Sequence, residues 1–527
     1  MSEEHTQETL LESANVIAQR RAKVEALRAS GKNLYGHGVK GLTSVKVIRA
    51  AHPGEIPEGT ETTYKVAGRL MTRRVMGKAL FANVKDGSGN IQIYMQRTDV
   101  GDEPYAEFKS LDLGDIISVE GFAFRTRTGE LSLHVKKFEL LSKSLLPLPE
   151  KFHGLQDLEQ RYRQRYVDLI VNDDSRRVLA LRSKIISECR KFLEGRDFME
   201  VETPILQTLA GGAKARPFKT HHNALNIPMY LRIAPELYLK RLIVGGFERV
   251  FELGRDFRNE GCDHSHNPEF TVLELYQAYS DCEGMMEIIE SMVTTVAQNA
   301  IGTLKIDQTN EAGEVVGTVD FTSPWRRVTF HELLEEKMGA DWWQLPVEIQ
   351  RQKAKDLGLE DNITDDMDSF HVSHEIYDAF IECTLIQPTF VTRLPLFLVP
   401  LAKRCADNPE LVDVYELVVN GHELCPGYTE LNDPIDQRSR FAEQLISQAG
   451  EIDENADQEE EQERVDEDFL TALEYGMPPT GGLGIGIDRL VLLLTGKESI
   501  RDVLLFPTMK PRKRQGVDEK GESGGEE

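Results

Sequence analysis

A chain of 527 residues with 40% hydrophobic and 28% charged residues carries apolar material for more than one core, so two or three domains are expected. Its net charge of −26 repels phosphates in bulk, which excludes a uniformly basic nucleic-acid coat and leaves any such contact to a local basic segment. The absence of any run near roughly 18 apolar residues, of a secretory leader and of any Cys-x-x-Cys pair excludes a membrane span, a disulfide framework and a structural zinc, and predicts a cytoplasmic protein.

Residues 1–61 are expected to form a helical extension, because Leu10, Val16, Ile17, Val24 and Leu27 recur at roughly helical spacing among Arg20, Arg21, Lys23 and Arg28. The basic face of that helix is read first as solvated and second as an RNA contact. From Tyr64 to Lys143 the balance turns basic, with 13 Lys and Arg against 10 Asp and Glu, and short alternating runs are separated by Gly, Asp and Asn turns. Five such runs over residues 62–147 predict an OB-type β-barrel. Alternation turns Leu80, Ala82, Val84, Ile91, Ile93 and Met95 inward and leaves Phe81, Asn83, Gln92 and Tyr94 outside. Exposed aromatics beside Arg73, Arg74 and Lys78 form the kind of face on which single-stranded bases stack.

A Pro-bearing linker, Leu145-Leu-Pro-Leu-Pro-Glu150, sets a boundary near residue 148, and a larger domain is expected over residues 148–510. It opens with a helix over 175–195 and an extended piece ending at Pro204. The small-residue loop from Leu209 to Phe218 contains Gly212 and permits close approach of backbone to a ligand. Residues 247–281 read as an antiparallel strand pair whose polar tip gathers Arg258, Glu260, His264, His266, Asn267 and Glu269 between Phe257 and Phe270. Such a mixture suits phosphates, a base edge and an aromatic stacking partner.

A helix over 282–300 precedes a less regular insertion at about 300–390, in which the Trp342-Trp343 pair is read as core. Residues 411–434 predict a hairpin turning at Asn420-Gly421, with Glu416 and Glu423 on either side of the turn and able to share a hard cation such as Mg²⁺. The run from Glu451 to Asp468, with 11 acids and one Arg, is read as a solvated loop or helix face. A Gly-rich strand from Thr480 then feeds a helix at Arg489, and residues 511–527 are expected to be a disordered tail.

Phe257-Arg-Asn-Glu-Gly followed by His266-Asn-Pro-Glu-Phe-Thr closely resembles motif 2 of the class II aminoacyl-tRNA synthetases, in the form found in lysyl-tRNA synthetases. The helix and strand at 175–206 resemble motif 1, the Thr480 to Leu494 stretch resembles motif 3, and Thr72-Arg-Arg-x-Met-Gly-Lys-Ala resembles the family's anticodon-binding barrel, so that the likeness covers about residues 15–510. The resemblance implies an α+β fold, with an antiparallel class II sheet and flanking helices behind an N-terminal five-stranded OB-type barrel. It further implies a homodimer and a ligase that uses ATP, L-lysine and a lysine-accepting tRNA, with up to three Mg²⁺ ions. By the family pattern Arg258 bridges the lysine carboxylate and the α-phosphate, Glu260 and Asn267 read adenine, and Phe270 stacks on it with Arg489 opposite. His266 joins the ATP contacts, Glu416 and Glu423 carry Mg²⁺, and Arg74, Phe81, Gln92 and Glu130 contact the anticodon. Gly212 and Glu236 would hold the α-amino group, and Glu274, Tyr276, Tyr428 and Glu430 the side chain of lysine.

Two departures stand out: Ser265 where many bacterial relatives have Arg, and Pro426 where many have Asn, the second removing a donor for the lysine carboxylate. Weaker contacts, not an inactive enzyme, are expected. An aspartyl- or asparaginyl-tRNA synthetase would need a cation for its substrate, and the acids of this pocket oppose it. A degenerate RNA-binding scaffold is opposed by the presence of both Arg258 and Arg489, and a protein-lysylating ligase by the barrel.

Overall fold

The computed structural model describes residues 3–57, 59–149, 155, 157–213, 215–310, 312–449 and 466–512. Most of the acidic run from Glu451 and the greater part of the expected tail lie outside the described residues. The chain divides into two compact units, 1–156 and 157–527. No helix among the described residues is long and apolar enough to cross a membrane.

The first unit holds a long helix, α1 (Glu3–Ala29), and a closed five-stranded barrel. Its strands are β1 (Thr63–Met76), β2 (Ala79–Lys85), β3 (Asn90–Gln96), β4 (Ile116–Arg125) and β5 (Leu131–Ser142), closed in the order β1-β2-β3-β5-β4. Only β3 and β5 run parallel. The six residues that alternation turns inward on β2 and β3 are buried to 2% exposure or less. Part of the basic face of α1 is spent on the unit itself: Arg20 donates to the carbonyls of Leu113 and Leu146, and Lys23 pairs with Asp112 at 2.9 Å.

The second unit is built on an eight-stranded sheet. Motif 1 is the helix α2 (Asp173–Glu194), capped by the Asn172 side chain, followed by only a two-residue strand, β6 (Met199–Glu200). The central pair is β7 (Arg249–Phe257) and β8 (Glu269–Ala278), antiparallel as expected. Two strands of the insertion, β9 (Arg326–Thr329) and β10 (Thr389–Thr392), join the far edge of this sheet, so the insertion extends the main sheet at one end. The hairpin β11 (Val414–Val419) and β12 (His422–Thr429) turns at Asn420 and Gly421, both with positive φ, and β13 (Thr480–Gly486) completes the order β9-β10-β11-β12-β13-β8-β7-β6.

On one side α2 packs its stripe of Val178, Ile185, Cys189, Phe192 and Leu193 into a core shared with the helix α4 (Cys282–Ala300) and the apolar side of the sheet. Each such side chain contributes about 1.5–3 kcal/mol on burial. Trp342 belongs to a separate core in the insertion, fully buried with its indole N–H donating to Ser373 Oγ at 2.9 Å. The face of β7, β8, β11, β12 and β13 opposite α4 carries the candidate site, covered in part by α3 (Glu236–Val244).

Candidate active site

A cavity of about 660 Å³ in the second unit is lined by Gly212, Glu236, Arg258, Glu260, Ser265, His266, Asn267, Phe270, Glu274, Tyr276, Glu416, Glu423, Pro426, Tyr428 and Arg489 among others. Phe270 and Tyr276 stand six residues apart on β8, about 20 Å along the strand. The cavity is therefore long enough for a nucleotide at the loop end and an amino acid at the other.

At the loop end the guanidinium of Arg258 lies 5.1 Å from the centroid of the Phe270 ring. The loop is braced by Asp263, whose side chain accepts from the backbone N–H of Ser265 at 2.6 Å and of His266 at 2.7 Å. These hydrogen bonds hold its carboxyl down at about 2. Asn267, which the resemblance assigns to adenine, also takes part in the loop's own hydrogen bonds. Its amide donates to the Glu269 carbonyl at 2.6 Å and accepts from the Thr508 N–H at 3.0 Å, which fixes its orientation and leaves one N–H and one lone pair for a ligand. Glu260 and His266 are exposed on the rim.

Glu416 and Glu423 are not register partners: Glu416 faces Pro426, and Glu423 faces Val418. A register shift between Leu417 and Val418 places Glu423 on the side of Glu416, Pro426 and Tyr428, where unbroken alternation would turn it away. Burial first, and then the nearby Glu423, push the carboxyl of Glu416 well up, and burial pushes Glu423 up against the opposing pull of Arg489 and Arg258. Two acids held together against their own repulsion fit a divalent cation. No group of three or more His, Cys, Asp or Glu side chains suited to a metal occurs among the described residues, so the remaining ligands would be phosphate oxygens and water. Glu382, from the insertion, accepts from the Glu423 N–H at 3.0 Å and braces the pair.

At the amino-acid end Glu274 accepts from the Tyr276 hydroxyl at 3.2 Å. Its carboxyl is pushed well above the usual range by burial, then by Asp256 and Glu236. The glycines of β13 make the room: a Cβ on Gly482 would lie 2.0 Å from Glu430 Oε1 and 2.6 Å from the Tyr276 ring. Glu430, 1% exposed, stands behind the cavity wall, and Lys240 on α3 meets it at 2.5 Å and Glu236 at 2.7 Å. Behind Glu274 a second buried group joins Arg232 to Glu252 and Asp256.

Sequence patterning misses Lys240, Arg232 and Glu382, although the four-residue step from Glu236 to Lys240 was a visible helical pairing. It also misses the coupling of the three motifs, in which Asp488 pairs with Arg182 of α2 at 2.6 Å and accepts from the Thr271 N–H of β8 at 3.0 Å.

On the barrel, Arg74 lies opposite Phe81, and the Phe81 and Tyr94 rings are 4.9 Å apart. Ser132 Oγ donates to Gln92 at 2.8 Å, while Glu130 is 3.6 Å from Arg49. The structure extends this aromatic face with Phe124 and His134, which flank Tyr94 from β4 and β5, and with Phe122, which packs against His134.

Residues 157–510 match the family described as tRNA synthetases class II (D, K and N), and residues 64–141 match the OB-fold nucleic acid binding domain. Together with the antiparallel sheet and its cavity, these define a class II aminoacyl-tRNA synthetase with a nucleic-acid-binding barrel. The chain is 50% identical over 497 residues to a lysine–tRNA ligase of Pelotomaculum thermopropionicum, with 94% of each chain covered. It is 48% identical over 504 residues to that of Clostridium tetani (94% and 96% covered), and 52% identical over 448 residues to that of Staphylococcus aureus (85% and 88%). The chain belongs to the lysine–tRNA ligase family.

Proposed function

We propose that the 660 Å³ cavity activates L-lysine with ATP and that the chain passes the lysyl group to the 3′-end of a lysine-accepting tRNA in the cytoplasm. The observation that carries this reading is the division of one cavity between a loop end with Arg258, Phe270 and Arg489 and a far end with Glu236, Glu274 and Tyr276. The lysine carboxylate attacks the α-phosphorus in line and pyrophosphate leaves; the terminal ribose hydroxyl of the tRNA then attacks the acyl carbon and AMP leaves. Neither step needs a side-chain nucleophile, so catalysis is positioning and charge neutralisation.

Arg258 bridges the carboxylate and the α-phosphate, and with Pro426 unable to donate a hydrogen bond it bears that carboxylate without help from this position. Phe270 and Arg489 sandwich the adenine, with Glu260 and the backbone of the Asn267 loop at its edge and His266 at the rim. Glu416 and Glu423 would hold Mg²⁺, which when bound neutralises the phosphates. Gly212 and Glu236 take the α-amino group, and Glu274, Tyr276, Tyr428 and Glu430 surround the side chain. The chain works as a homodimer through the motif 1 region, a reading supported by the exposed Met199, Ile205 and Leu206.

Amino-acid-dependent ATP–pyrophosphate exchange with a panel of amino acids tests the assignment. Lysine alone is expected to support exchange, and a preference for aspartate or asparagine would overturn it. On the barrel, Arg74, Phe81, Gln92 and Glu130 read the anticodon. Phe81→Ala is expected to weaken charging of lysine tRNA by about 1–3 kcal/mol, the worth of one stacking contact, while exchange is unchanged. Unaltered charging would remove the anticodon role from this face.

A further inference from the structure

Lys240 is fully buried, and its ammonium contacts Glu236 Oε1 at 2.7 Å and Glu430 Oε2 at 2.5 Å. An ammonium taken out of water costs several kcal/mol unless fixed carboxylates surround it, and here the two that do so are acids assigned above to the substrate. Glu236, Glu274 and Glu430 bring three carboxylates to this end of the cavity, and Lys240 offsets one. Tyr276 and Tyr428 add no charge, since burial and the surrounding acids push both hydroxyls far up. Glu252 and Asp256 form a neighbouring group around Arg232, which bridges them, and the charge of Asp256 is felt at Glu274.

Within the group of Glu236, Glu274, Glu430 and Lys240, two negative charges are left over once all three acids are ionised. A lysine brings two ammonium groups, while its carboxylate belongs with Arg258. Lys240 lies against Oε2 of Glu430, yet both oxygens of that buried carboxylate lack a full hydrogen bond, which leaves acceptor capacity for a second ammonium. Oε1 packs close against Gly482, where a Cβ would fall 2.0 Å from it, so any larger residue there would displace the Glu430 carboxylate.

We infer that Lys240 is a specificity-determining positioning residue, which holds Glu236 and Glu430 in place and sets the charge of the pocket to match a doubly cationic amino acid. The inference rests on lysine being the substrate. Without Lys240 three carboxylates face one another, and the pocket relieves the repulsion by holding its proton to higher pH against the substrate's ammonium.

Pyrophosphate exchange of the full chain, with lysine and ATP varied in turn, separates the possibilities for K240M, K240Q and K240R, with ATP binding and thermal unfolding as checks of folding. For K240M and K240Q the KM for lysine is expected to rise about 50- to 100-fold, with KM for ATP within about threefold of wild type. The rising limb of kcat/KM for lysine against pH is expected to move up by about one unit, and K240R to recover part of both changes. An unchanged KM for lysine with an unshifted limb overturns the inference. So does an equal loss toward lysine and ATP with a lowered Tm, or failure of both K240M and K240Q to fold, since either assigns Lys240 to stability alone. A wild-type protein inactive with lysine overturns the substrate reading itself, and this one with it.

Discussion

Glu430→Gln is expected to lower kcat/KM for lysine about 10²–10³-fold or more, some 3–5 kcal/mol, while ATP binding changes little. The substitution keeps the shape of a side chain that is 1% exposed but removes the charge that meets Lys240 at 2.5 Å. It leaves Lys240 with Glu236 alone and takes away the acceptor offered to the substrate's ammonium. The effect carries a pH signature. Burial pushes the carboxyl of Glu430 up to about 8, against the opposing pull of Lys240 and with Glu236 adding to the rise.

A raised carboxyl pKa means that the folded chain holds a proton there below about 8, whereas an unfolded Glu is ionised above its usual value near 4.5. Between those limits the native state binds more protons than the unfolded one, so this group's contribution to stability declines as pH rises through the window. Lysine binding runs the other way, because the ammonium pairs with the ionised form and must displace the proton. Lysine kcat/KM is expected to climb from pH 6 toward 8 in the wild type and to be flatter in the variant. Steady-state exchange across that range checks both, and normal lysine activation by E430Q would remove Glu430 from the pocket.

What the sequence made legible was local. Alternation on β2 and β3 sorted Leu80 to Met95 correctly because a strand's faces follow from a period of two, and the Asn420-Gly421 turn was readable because few residues tolerate positive φ. What it left hidden was contact across the chain. Lys240 and Glu430 are separated by 190 positions, and nothing in the spacing of either announces the other. The register shift that brings Glu423 to the side of Glu416 breaks alternation at one residue, a step that patterning cannot see. The strands at 326–329 and 389–392 are four residues each, too short for periodicity to stand out, so their place at the edge of the main sheet appeared only in three dimensions. Motif resemblance supplied candidate roles where periodicity supplied none, yet it did not show that the Asn267 amide is already engaged by Glu269 and Thr508.

Arg489→Ala is expected to reduce lysine-dependent pyrophosphate exchange about 10²–10³-fold, the usual cost of deleting one preorganised group that stabilises developing charge. Arg489 occupies the third position of the helix Ile487–Thr495, preceded by the glycines of β13, so a rigid element aims it into the cavity. Its Nη1 donates to the Glu423 carbonyl at 2.5 Å, which holds the guanidinium beside the carboxylates assigned to Mg²⁺. A planar fork held in this way both covers a base and meets phosphate oxygens, and an ammonium on a flexible stem does neither, so Arg489→Lys is expected to recover little. The side chain is only half-buried, so its loss should leave Tm nearly unchanged. Binding of lysine tRNA should also be close to wild type, because the face proposed to read the anticodon belongs to the unit 1–156 and Arg489 to the unit 157–527. Titration of the variant with ATP and with tRNA, beside the exchange assay, separates these arms. Full exchange activity in Arg489→Ala would mean that motif 3 in this chain serves only to pack a helix against a strand.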